Sequence, residues 1–191
     1  YLLSKNLNTK EIKLKTNNRI LTAKIFEKLN VRLEMGRPLF NFKDIPLSKP
    51  IDPNNITLNI ENEELSGGHC VNVGNPHIIF FVKNCFDYDL NVIGPKIENH
   101  KLFPEKTNVT FAQVIDKKNI TVNVWERGAG LTKACGTAAC ATAIVGLKNE
   151  LVNNKVDIKF KQGFLNIEID KSDNIFMTGP VSEIKNIKIN I

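Results

Sequence analysis

The 191 residues carry a formal net charge of +6, and 42% are hydrophobic against 24% charged. This is ordinary globular composition, sufficient for one or two domains with a real core, and it excludes a disordered chain. The lysines are scattered among Asn and Ile rather than gathered into a block or an arginine-rich helix, which argues against a nucleic-acid partner, and no apolar run of about 18 residues marks a membrane span.

Tyr1 to Leu7 is apolar on one side and reads as the end of a helix cut in two. Lys10 to Lys15 and Ile20 to Phe26 alternate like paired strands around a turn at Asn17 and Asn18, and Val31 to Leu33 is a further short strand. Strands without partners expose edges, so residues 1–35 are expected to belong to a domain most of which lies elsewhere. Gly36 to Pro53, with its prolines, reads as a connection, and a second unit is expected over residues 36–180.

Ile56 to Ile60 alternates as a strand, and Gly67 and Gly68 predict a bend before Cys70 to Val73. Gly74, Asn75, Pro76 and His77 interrupt what is otherwise one long strand to Val82. Proline cannot donate to a sheet ladder, so GNP is either a plain bulge or a break at which Asn75 presents its amide to a ligand. Leu90, Ile93 and Ile97 fit one face of a short helix, which Gly94 and Pro95 weaken to an expected single turn. Thr107 to Ile115 and Ile120 to Trp125 then predict a hairpin. Asn108, at its start, is by residue type a turn residue.

The stretch WERGAGLTKACGTAACATAIVG, Trp125 to Gly146, places a strand, a glycine-rich bend, a cysteine and a helix start in that order. Thr137 to Lys148 is Ala-rich, lacks proline and is apolar or small nearly all round, which predicts a buried helix. Cys135 then stands at a helix N-terminus. The positive dipole end favours an anion there and is expected to draw the thiol below its usual pKa of ~8.5. The amides of Gly136 and Thr137 can hold a carboxylate. Glu126 and Arg127 can recognise a second charged group. The plain alternative is a small core cysteine beside a turn.

Cys70, Cys85, Cys135 and Cys140 are too few for a disulfide scaffold and point to the cytoplasm. None forms CxxC, and His69, His77 and His100 do not stand at metal-ligand spacings, so no metal site is expected. Lys133 replaces the third glycine of a dinucleotide fingerprint, and no GK[ST] follows. Val156 to Phe160, Phe164 to Ile169 and Ile175 to Thr178 predict three strands after the helix, ending at Gly179 and Pro180. Val181 to Ile191 alternates again.

ERGAGLTKACGTAACA resembles the second cysteine motif of the diaminopimelate epimerases, VNVGNPHIIFFV resembles their GNPH segment, and MGRPLF with IPL fits the same order. The resemblance implies an α+β fold of two pseudo-symmetric halves, each with antiparallel strands wrapped as a barrel around a central helix, only the second half being complete here. Residues 181–191 return by resemblance to the first half. The implied reaction interconverts LL- and meso-diaminopimelate, on the route to lysine and cell-wall precursors. Two cysteines face each other across the α-carbon, with no cofactor. Cys135 is by resemblance one of them, and the other belongs to an upstream CGN-type motif that these residues do not contain. Gly136 and Thr137 are the implied carboxylate clamp. Asn75, Asn108, Glu126 and Arg127 hold the distal end, and His77 supports them. Leu131 and Ala138 depart from residues common in the family. The full-length protein is expected to be a homodimer that acts on a small molecule, without membrane or nucleic acid. Rival readings are a proline-racemase-like enzyme, a thiol nucleophile paired with His77, and a non-catalytic protein of the same fold.

Overall fold

A computed structural model describes residues 11–16, 20–27, 30–61 and 63–181. The expected helix end at Tyr1 to Leu7, the turn at Asn17 and Asn18 and nearly all of the tail strand from Val181 lie outside these residues. The described residues begin with three strands: β1 (Glu11–Lys15), β2 (Ile20–Glu27) and β3 (Asn30–Gly36). After the proline-rich connection come β4 (Ile56–Ile60), β5 (Glu63–Asn72) and β6 (Pro76–Phe81), then helix α1 (Leu90–Glu98). The hairpin β7 (Asn108–Asp116) and β8 (Asn119–Glu126) leads through the short β9 (Gly130–Leu131) into helix α2 (Gly136–Lys148). β10 (Lys155–Phe160), β11 (Gly163–Ile169) and β12 (Ile175–Pro180) follow.

Among the described residues all the strands join one 12-stranded sheet, in the order β1-β2-β3-β12-β11-β10-β8-β7-β6-β5-β4, with β9 added alongside β8. The path is open among the described residues. It nevertheless curls about α2, which touches β5, β6, β7, β10, β11 and β12. The pairing is mixed rather than purely antiparallel: β6 runs parallel to β7, and β8 parallel to β10. Each parallel pair is bridged by a helix, α1 in the first case and α2 in the second, because a strand that returns in the same direction needs a crossover. Residues 11–36 are part of the same sheet, through β3 against β12.

The two described helices cover opposite faces of the sheet's middle. On β6, Ile79 faces the core around α2, while Ile78 and Phe80 face the core around α1. β7 divides in the same way, Ala112 to one side and Val109 and Phe111 to the other. Successive side chains point to opposite faces, so strands buried on both sides read as nearly unbroken apolar runs. A fully buried Ile or Phe of this kind contributes roughly 1.5–3 kcal/mol.

α2 can lie inside the curl because its side chains are small. Ala138, Ala139, Ala141, Ala143 and Gly146 are buried along it, and Ile144 is its one large fully buried side chain. α1 is longer than the single expected turn. Asp89 caps it by accepting from the Asn91 N–H at 3.0 Å, and Pro95 is accommodated within it. The expected bend at Gly67 and Gly68 is instead the interior of β5. Gly67 takes a φ of 77°, and Gly68 lies so close under Phe80 and Ile78 that a Cβ there would stand 2.8 Å from the Phe80 ring. Close approach explains Gly68, while Gly67, with nothing within 4 Å of where its Cβ would be, is explained by its positive φ.

Candidate functional site

GNPH does not break one long strand: Val73, Gly74 and Asn75 form the turn of a hairpin, and Asn72 pairs with Pro76 across it. Gly74 has a φ of 116°, a conformation that favours glycine. His77 follows on β6, fully buried, with its Nε2 2.9 Å from Asn75 Oδ1. That oxygen can only accept, so Nε2 carries the proton. The NH2 of Asn75 is left for another acceptor. Burial and the nearby Arg127 guanidinium push the His77 pKa down to about 3, so the ring is neutral at physiological pH.

The β8–β9 connection is a three-residue turn, Arg127, Gly128 and Ala129, with Glu126 paired to Gly130 at its base. Its three N–H groups are all taken. The Arg127 amide donates to Asn108 Oδ1 at 3.0 Å, the Gly128 amide to Glu98 Oε1 at 3.0 Å, and the Ala129 amide to the Glu126 carbonyl at 3.0 Å. Asn108 also donates from Nδ2 to the Pro76 carbonyl at 2.7 Å, so it ties the two turns together and keeps one N–H for a ligand. The Arg127 guanidinium is exposed and donates to the Glu105 carbonyl at 2.8 Å. This uses one arm of the fork and leaves the rest for an anion.

Cys135 is the N-cap residue of α2, with extended backbone and 6% exposure. The first helical bond runs from the Ala139 amide to its carbonyl. The amides of Gly136 and Thr137 are among the first in the helix and have no carbonyl four residues back within it. Amides so placed can hold an anion at the positive end of the dipole. Met177 from β12 closes over Gly136, where a Cβ would meet its sulfur at 3.0 Å.

The thiol does not behave as its position in the sequence suggests. Its pKa is pushed up to about 11, chiefly by burial. The Thr137 hydroxyl, 3.5 Å from Sγ, and the Ala138 amide favour the thiolate, but the Glu126 carboxylate beside the thiol opposes them. Desolvation outweighs the helix end here, and the resting group is a neutral thiol. Glu126 therefore links the turn to the helix cap, and the Arg127 charge is felt at His77.

The other three cysteines lie apart. Cys70 and Cys85 belong to the core around α1, on the opposite face of the sheet, where burial raises both thiols, Cys85 to about 11. Cys140 is packed within α2. Glu98, at the C-terminal end of α1, has no place in the sequence expectations, yet it is 5% exposed and binds the turn. A concavity of about 680 Å³ between Lys117, Lys155, Asn153 and Asp157 lies at the far end of α2, and none of the residues above lines it.

The profile of the diaminopimelate epimerase family matches residues 69–184. A diaminopimelate epimerase from Pelagibacter ubique is 53% identical over the whole chain, which covers 70% of that relative. One from Halothermothrix orenii is 40% identical, again over the whole chain and 69% of the relative. Among solved structures, a hydroxyproline epimerase from Agrobacterium vitis superposes with a TM-score of 0.66 at 12% identity, over 94% of this chain and 60% of that one. A phenazine biosynthesis protein from Bacillus anthracis superposes with a TM-score of 0.60 at 13% identity, over 100% of this chain and 73% of that one. At such identities these two establish the fold.

Proposed function

The chain belongs to the diaminopimelate epimerase family, and on that premise we propose that it carries one face of a cofactor-independent site that interconverts LL- and meso-diaminopimelate. The observation that carries the reading is the neutral Cys135 thiol at the mouth of an amide cradle. A carboxylate seated on the Gly136 and Thr137 amides puts its α-carbon beside Sγ. As an acid, the thiol returns a proton to the carbanion, and as a thiolate it removes one in the reverse direction. Glu126 makes the thiolate the costlier form, which suits Cys135 to begin as the donor. The charge that develops on the carboxylate in the transition state falls on fixed backbone dipoles.

Arg127, with its free guanidinium arm, takes the distal carboxylate. Asn75, Asn108 and Glu126 supply acceptors and donors for the distal ammonium and carboxylate. His77 acts through Asn75, whose amide it fixes. In this reading residues 36–180 form the half of the fold that holds Cys135, and residues 1–35 and 181–191 go with the other half. The four free thiols suit the cytoplasm. A nucleophilic role with His77 as base is less well supported, since His77 is bound to Asn75 and is too weak a base.

The test is deuterium wash-in at the α-carbon of meso-diaminopimelate, followed by chiral analysis, using the full-length gene product. The wild type should exchange and invert, and Cys135→Ala should fall to background while ligand affinity stays within about tenfold, roughly 1.4 kcal/mol, because the cradle is backbone. Full activity in Cys135→Ala, or a trappable thioester in the wild type, would overturn the assignment.

A further inference from the structure

The turn that carries Arg127 is an exposed three-residue loop, with φ at 75° for Gly128 and 89° for Gly130, and nothing lies within 4 Å of where a Gly128 Cβ would be. A loop of this kind does not hold an arginine still by its own packing. Its fixed position comes from outside. The Glu98 carboxylate accepts from the Gly128 amide through Oε1 at 3.0 Å and from the Trp125 indole Nε1 through Oε2 at 2.7 Å. The two donors flank Glu126 and Arg127 in the chain, so one carboxylate brackets both residues. We propose that Glu98 is a positioning residue of the substrate-binding turn, acting beside Asn108 to set where Arg127 and Glu126 stand relative to Cys135.

The local sequence of α1 is built for this. Gly94 and Glu98 are four residues apart and share one helix face. At Gly94 a Cβ would stand 2.6 Å from the Trp125 ring, so the missing side chain is what lets the indole lie on the helix. One turn later Glu98 receives the indole N–H. Leu90 and Ile97 anchor the helix in the core beneath. The Glu98 side chain is 6% exposed, and its nearest cation, Lys106 at 3.9 Å, is itself 54% exposed. Burying a carboxylate with so little compensating charge is unfavourable for stability alone. What it supplies is two acceptor oxygens at once, where a glutamine offers one acceptor and an NH2 that would oppose the second donor.

This inference rests on the reading of the turn as a substrate arm, and its test separates the two. In the full-length gene product, Glu98→Gln, Trp125→Phe and the double variant are compared by KM and kcat for diaminopimelate. Hydrogen exchange at the Gly128 amide and the Trp125 indole N–H is followed by NMR without ligand. Glu98→Gln should speed exchange at both protons at least tenfold and raise KM about tenfold, with kcat changed less than threefold. In the Trp125→Phe background the added effect of Glu98→Gln on KM should shrink to less than threefold, because the glutamine carbonyl then serves Gly128 alone. Wild-type exchange rates in Glu98→Gln overturn the hold on the turn, and a lowered Tm with unchanged KM reduces Glu98 to packing. A wild type that shows no α-proton exchange refutes the epimerase reading instead, while the two amide and indole rates still decide what Glu98 does.

Discussion

The two walls of the candidate site are made from different materials. The wall at the start of α2 is mainly backbone: two amides, with one thiol beside them, placed by a helix whose side chains are small and enclosed. The facing wall is a turn and a hairpin whose geometry depends on side chains, with Glu98 and Asn108 holding the turn and His77 holding Asn75. Backbone dipoles in a packed helix are insensitive to pH and to most single substitutions at the helix surface. Side-chain ties between separate elements are not. The turn wall should therefore be the place where the site is tuned and where it fails first.

The largest effect expected from breaking the turn wall is at Gly94, outside the site itself. Gly94→Ala drives a methyl to within 2.6 Å of the Trp125 ring, and neither a helix backbone nor an indole hydrogen-bonded at Glu98 gives way cheaply. A loss of about 3 kcal/mol in unfolding free energy is expected, within the range for overpacked cores, together with a raised KM. Denaturant titration with the enzymatic assay checks both, and a stable variant with wild-type KM would show that the ring is not held against α1.

The next effect is acid sensitivity. His77 is held neutral down to about pH 3, whereas the same side chain in the unfolded chain takes a proton near 6.5. Between those values the unfolded state binds the extra proton, so the stability present at neutral pH is lost as pH falls, by about 1.4 kcal/mol per unit. Unfolding measured from pH 7 to 4.5 should show a steeper slope in the wild type than in His77→Gln. Equal slopes would mean that His77 is protonated in the folded protein as readily as in the unfolded chain.

How much of this was legible in the sequence follows the same division. The backbone wall was readable, because the Ala-rich run without proline over Thr137 to Lys148 predicts a buried helix with Cys135 near its N-terminus. The direction of the thiol's shift was not, since the helix dipole is a local feature and desolvation depends on what folds over the cysteine. Strand positions were legible from alternation, yet the parallel pairing of β6 with β7 and of β8 with β10 was not, because alternation reports faces and not neighbours. Glu98 was invisible for a related reason. A glutamate in the last turn of a short amphipathic helix looks like surface, and only the fold brings Trp125 and Gly128 to it.

A smaller effect sharpens the turn wall's part in recognition. Arg127 reaches the Glu105 carbonyl with one nitrogen and leaves its planar fork otherwise open. Arg127→Lys keeps the charge but offers a single ammonium in place of a bidentate donor, so KM should rise about tenfold, with less change in kcat. An unchanged KM would make Arg127 the tip of a turn and nothing more.

The smallest effect is expected on the backbone wall, at the far end of α2. Lys148 lies in the last helical turn and pairs with Asp173 at 2.7 Å, with side chains 47% and 40% exposed. An ion pair that open to water contributes less than about 1 kcal/mol, and its helix-end charge adds a few tenths. Cys135 stands 13 residues earlier along the helix, roughly 20 Å away at ~1.5 Å per residue. That exceeds the screening length of about 8 Å at physiological salt, and the dipole acts through the first turn's amides rather than through the whole rod. Lys148→Ala should therefore lower stability slightly, by an amount that shrinks with added salt, and leave KM and kcat within the error of measurement. A change in kcat of more than about threefold would mean that the charge at one end of α2 is felt by the thiol at the other. The cradle would then depend on the whole helix, and the contrast between a local backbone wall and a side-chain wall would fail.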